Sequence, residues 1–287
     1  MNRRQALFGL CGLVFAGRGA RAVAETGGDA VRIGMTPVFL DDQVGFLGAW
    51  RDYLAQALGR PVDFIQRGSY REIVELMRQE KLHFAWLCGY PYVREQRWMR
   101  LLVVPVHQGQ PLYRSYLIVP ARDTATIKIT ELRDRVFAFS DPDSNSGYLY
   151  PHYQLNRANT SPANFFRRSF FTYSHKKVVE AVGLEVAHGG AVDGYVWDTL
   201  ARTHAELTGR TRVADRSPPF GFPPFVAGPV ASPALFRRMQ EILLAMHDDG
   251  AGAGFLRQLN LDRFALGTPA LYADIERMLR AVGQPNT

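Results

Sequence analysis

The chain has 287 residues, enough for one large domain or two modest ones, and its 47% apolar and 21% charged content exclude extended disorder. Its formal charge of +7 would suit an acidic partner, but Arg3, Arg4, Arg18 and Arg21 all lie in the first 24 residues, which hold no acid. The remainder therefore carries +3 (7 minus 4), and with no basic block elsewhere a nucleic-acid role loses its main support.

In chain order, "MNRRQALFGLCGLVFAGRGARAVAETGG" has a basic start, an apolar run over 6–16 and small residues at Ala22 and Ala24, which predicts an export signal over 1–24. The run is too short to span a bilayer, and Arg3-Arg4 suggests the twin-arginine route. Beyond it, "VRIGMT" (31–36), "VDFIQ" (62–66), "HFAWLC" (83–88), "LLVVPV" (101–106), "YRSYLIV" (113–119), "VFAFS" (136–140) and "FFRRSFF" (165–171) read as strands. Helical patterns occupy 42–58, 69–81 with a Ser69/Glu72 capping box, 148–157, and 174–183 with Ser174 as cap. "AVDGYVWDTLARTH" (191–204) gives a short strand and a helix. "RVADRSPPFGFPPFVAGP" (212–229) reads as a proline-rich connection before helical patterns at 234–248, 252–259 and 270–282.

Strand–helix–strand alternation of this length predicts an α/β chain of two similar halves, with parallel sheets covered by helices on both faces and the tail returning to the first half. Ligands in open parallel sheets sit at carboxyl ends of strands. Three such ends share a character here: Thr36-Pro37, the Cys88, Gly89, Tyr90 run, and "SDPDSNSG" (140–147). A strand, a polar turn and a helix start form an anion cradle, because the first backbone N–H groups of a helix lack partners within it. An ordinary helix cap is the competing reading, since Ser and Asn favour that position for stability alone.

Cys11 leaves with the signal, so Cys88 is the only cysteine of the exported chain. It is either a small buried hydrophobe or a soft ligand, for which trivalent arsenic is the matching oxyanion-like partner. Ser146, His175 and Asp193 would make a hydrolase, but their chain order and the lack of G-x-S-x-G weigh against an enzyme. No metal or cofactor is expected, since neither HExxH nor paired cysteines occur.

Taken in order, "RGSYREIVELMRQEKLHFAWLCGYPYV", "SDPDSNSGYL", "YSHKKVVEAV" and "GAVDGYV" resemble the periplasmic phosphonate- and phosphite-binding proteins, the solute receptors of ABC importers. The resemblance implies a type II periplasmic-binding fold: one lobe from 31–113 and 214–287, a second from 114–213, and a cleft that closes on its ligand by hinge motion. It further implies that Ser144, Asn145, Ser146 and Gly147 supply donors to a small oxyanion, with Asn145 where relatives often carry threonine. His175, Tyr70, the Cys88–Tyr90 region and Asp193 complete the implied site, with His175 donating from either nitrogen and able to charge near neutral pH. A periplasmic monomer serving an ABC permease is the expectation. Some arsenite-sensing proteins resemble the same family and signal to a membrane histidine kinase, so a sensor using Cys88 stays open.

Overall fold

In the computed structural model, which describes residues 29–36 and 44–283, two separate sheets form from strands of one chain. The export-signal reading and Pro37 lie outside the described residues. The strands are β1 (Val31–Met35), β2 (Val62–Gln66), β3 (Phe84–Trp86), β4 (Arg100–Val106), β5 (Leu112–Tyr113), β6 (Ser115–Pro120), β7 (Val136–Phe139), β8 (Arg168–Phe171), β9 (Gly189–Asp193), β10 (Thr211–Arg216), β11 (Phe220–Gly221), β12 (Phe225–Ala227) and β13 (Arg263–Ala265). The helices are α1 (Val44–Leu58), α2 (Tyr70–Arg78), α3 (Gly89–Glu95), α4 (Tyr150–Arg157), α5 (Pro162–Phe165), α6 (His175–Gly183), α7 (Gly194–Thr203), α8 (Ala205–Thr208), α9 (Pro233–Ala245), α10 (Gly250–Gln258) and α11 (Ala273–Val282).

The first sheet runs β13-β4-β12-β3-β1-β2 and the second β10-β6-β9-β7-β8. β1 lies parallel to both β2 and β3, and β7 parallel to both β8 and β9. The expectation of parallel sheets holds for these strands only. β12 runs antiparallel between β3 and β4, β13 runs antiparallel to β4, and β6 runs antiparallel to both β9 and β10. Most of the stretch read as a proline-rich connection is thus strand. β12 has three residues, too few to show a period, and Pro223 and Pro224 precede it, where they need no ladder N–H. Their carbonyls still serve the sheet, accepting from Trp86 Nε1 at 2.9 Å and from Leu87 N at 3.0 Å. The chain crosses between the sheets twice, and β5 and β11 pair antiparallel within these two crossings.

Burial explains the layers. α2 buries Tyr70, Ile73, Val74 and Met77, the spacing of one helix face, and Ser69 caps it by accepting from Glu72 N at 3.3 Å while donating to Glu72 Oε2 at 2.9 Å. In the first core Trp50 stands edge-on to Phe64, Trp86 and Phe225. Phe137 stacks on Phe166 at 4.5 Å in the second. The tail returns to the first sheet, where Gln240 donates to Leu102 O at 2.6 Å and Arg238 to Ala57 O at 2.9 Å.

Candidate functional site

The quoted turn follows β7 and is wholly inside the protein. Ser144 and Asn145 are 0% exposed and Ser146 is 1% exposed, unusual for a run of polar residues between a strand and a helix. Ser144 is a true cap, its Oγ accepting from Gly147 N at 3.0 Å. Past it the expected α-helix opens instead with a π turn over Asn145–Leu149, in which Leu149 N donates to Ser144 O and Tyr150 N to Asn145 O. Such wide turns recur at functional sites because they re-aim the first side chains.

Strand ends from both sheets meet at this turn. Tyr70 N, at the start of α2, donates to Asp141 Oδ2 at 3.2 Å, and Asp141 Oδ1 accepts from Asp143 N at 2.7 Å. Arg94 of α3 pairs with Asp143 at 2.8 Å, with Tyr90 beneath the guanidinium at 5.7 Å from its ring centre. Asn145 N donates to Cys88 Sγ at 3.2 Å, and Asn145 Nδ2 to Tyr113 Oη at 2.9 Å. Ser115 Oγ donates to Ser146 O at 2.7 Å. The Tyr70–Asp141, Arg94–Asp143 and Cys88–Asn145 bonds close the seam between the two sheets.

His175 opens α6 behind the capping Ser174 and is 2% exposed. Its Nδ1 accepts from Asp193 N at 3.0 Å, which requires that nitrogen to be bare and places the ring proton on Nε2. Nε2–H then donates toward Tyr70 Oη, 3.4 Å away. Burial lowers its pKa to about 3, so the expectation of a histidine that charges near neutral pH and donates from either nitrogen is corrected to a neutral ring with one donor. Asp193 caps α7, accepting from Tyr195 N and Val196 N on Oδ1, yet burial raises its pKa to about 8. Asp141 is raised to about 6 and the Cys88 thiol to about 11 for the same reason.

Ser144, Asn145, Ser146, Gly147, Tyr70, Cys88, His175 and Asp193 are therefore linked by hydrogen bonds or chain adjacency, and Tyr90 joins through the Arg94–Asp143 pair. They do not form a proton relay: the partner of His175 is the Asp193 backbone, not its carboxylate, and Ser146 Oγ has no hydrogen-bond partner. Sequence reasoning missed Asp141, Asp143, Arg94, Tyr113 and Ser115. The two acids stood in the quoted turn and were the available signal; Tyr113 and Ser115 gave none.

Three buried polar atoms at the turn remain unpartnered: Ser140 Oγ, Asn145 Oδ1 and Ser146 Oγ. Native proteins pair such atoms with protein groups or ordered water, which makes this cluster the candidate place for a small polar guest. Arg94 is already spent on Asp143, so the offered donors are neutral. Grooves of about 510 and 570 Å³ lie elsewhere on the molecule and share no residue with this cluster. Among the described residues no group of three or more metal-ligating side chains occurs.

A family model described as "ABC transporter, phosphonate, periplasmic substrate-binding protein" matches residues 33–272. The methylphosphonate complex of PhnD1 from Prochlorococcus marinus superposes with a TM-score of 0.78 at 20% identity, covering 88% of this chain and 97% of that one. A binding-protein component of an ABC phosphonate transporter from Pseudomonas aeruginosa gives 0.78 at 19% identity, with 87% and 85% covered. A histidine kinase sensor domain similar to periplasmic binding proteins gives 0.58 at 12% identity, with 82% and 98% covered. The two sheets joined by two crossings are the lobes of the type II periplasmic-binding fold.

Proposed function

The chain belongs to the periplasmic substrate-binding proteins of phosphonate ABC transporters, and from that premise we propose that it captures a small oxyanion of the phosphonate, phosphite or phosphate class between its lobes and hands it to a membrane permease. The lobes are taken as 31–113 with 214–287, and 114–213, a division supported by which strands share a sheet except that β10 carries the second sheet on to Arg216. Export uses the leader over 1–24, by the twin-arginine route.

The observation that carries the reading is the buried, unpartnered hydroxyl of Ser146 beside the capped π turn. An oxyanion entering a cleft loses water hydrogen bonds that several fixed donors must replace at once. Neutral donors do so without an ion pair that would hinder release. Ser144, Asn145, Ser146, Gly147, Tyr70 and His175 supply or position them, and Asp193 holds His175 through its N–H.

A ligand that binds only the folded state raises the melting temperature. Methylphosphonate, phosphite or phosphate is expected to do so, and Ser146→Ala is expected to weaken calorimetric affinity by about tenfold or more. Unchanged melting with all three would overturn the proposal. Arsenite belongs in the same screen, because Cys88 Sγ touches the turn. Its high pKa disfavours the thiolate such a sensor would need, so the arsenic reading ranks second.

A further inference from the structure

Asn145 differs in kind from the serines around it. Ser140 and Ser146 each carry a hydroxyl that can turn its proton toward an anion. The Asn145 amide nitrogen donates to Tyr113 Oη at 2.9 Å, and this leaves Oδ1, which has lone pairs and no hydrogen, buried without a partner. Asn145 is 0% exposed, so bulk water does not satisfy the oxygen. A bare acceptor beside an anion is doubly unfavourable: it stays unpaired, and it faces another set of lone pairs.

We propose that Asn145 makes this a site for an oxyanion that brings its own hydrogen-bond donor, and that Asn145 Oδ1 accepts that hydrogen. The inference rests on the oxyanion reading above and narrows it. The donor is a P–OH of a singly protonated phosphonate or the ammonium of an aminoalkylphosphonate; both present a hydrogen to the same lone pair. An aprotic anion of equal size and charge is rejected, because it leaves the oxygen unpaired.

The test is calorimetry of the full protein with methylphosphonate, methanesulfonate, 2-aminoethylphosphonate and 2-aminoethanesulfonate, at a pH where the phosphonates keep one proton. If the P–OH is the donor, both phosphonates bind at least about tenfold more tightly than both sulfonates. If the ammonium is the donor, both amino compounds outbind their methyl counterparts by the same margin. Whichever preference appears is expected to collapse in Asn145→Thr, whose hydroxyl can donate, with the unliganded melting temperature checking the fold. Asn145→Ser replaces it should that variant not fold. Methanesulfonate binding as tightly as methylphosphonate, with 2-aminoethanesulfonate no tighter, would overturn the inference while leaving the oxyanion reading intact. So would a preference that persists in the variant. Absence of binding by all four would sink both.

Discussion

A β-carbon placed on Gly147 would stand 1.8 Å from Ser140 Oγ and 2.7 Å from Ser140 Cβ, so the turn closes only around a hydrogen at this position. Gly147→Ala must therefore push the strand end away from the helix start, an overpacking that commonly costs about 1–3 kcal/mol. Its affinity for methylphosphonate is expected to fall at least about tenfold, and Ser140→Gly in the same chain to restore part of it. Wild-type affinity in Gly147→Ala would show that the close approach does not shape the site. The serines, the asparagine and the glycine were legible as a candidate cradle because small polar residues before a helix have a known local use. Asp141 and Asp143 in the same octapeptide were not. Acids in a turn ordinarily read as solvated, and their partners, the Tyr70 N–H and Arg94, lie 71 and 49 residues away.

Among the elements, the starts of α2 and α6 could be read to within one residue, since each carries a serine cap and an apolar face whose signals are local. β12 could not, because three apolar residues between prolines acquire meaning only once β3 and β4 flank them. The π turn was hidden too: its sequence suits an α-helix, and tertiary bonds widen it. Between elements, the Arg94–Asp143 pair bridges α3 and the turn with side chains only 22% and 9% exposed, so it is screened less than a surface pair. It joins an element of the first lobe to the turn of the second. Arg94→Ala is therefore expected to weaken methylphosphonate binding at least about fivefold by depopulating the closed form, although Arg94 need not touch the guest. Removing Asp143 as well should recover part of the loss. An unchanged dissociation constant in Arg94→Ala would rule out this role.

For the whole molecule, two buried groups set opposite pH trends. Asp193 rises from 3.8 to about 8 on folding, so its contribution is full below 3.8 and is lost as pH climbs through 8. His175 falls from 6.5 to about 3, so its contribution is full above 6.5 and is lost as pH drops through 3. Asp141, raised to about 6, acts mainly below that window. Between pH 6.5 and 8 Asp193 therefore dominates, and stability should decline there with a slope of up to ~1.4 kcal/mol per pH unit. Urea midpoints at both ends of that interval should differ in the wild type and converge in Asp193→Asn, which keeps a capping oxygen. A decline that survives the substitution would assign the trend to other groups.

The position of β12 also bears on how the molecule is made. Every strand of the second sheet lies within 115–216, but the first sheet stays split down its middle until residues 225–227 arrive to join β3 to β4. A ribosome delivers the inner portion complete while the outer one still waits for its keystone. In chain order the second lobe is therefore complete before the sheet of the first can close.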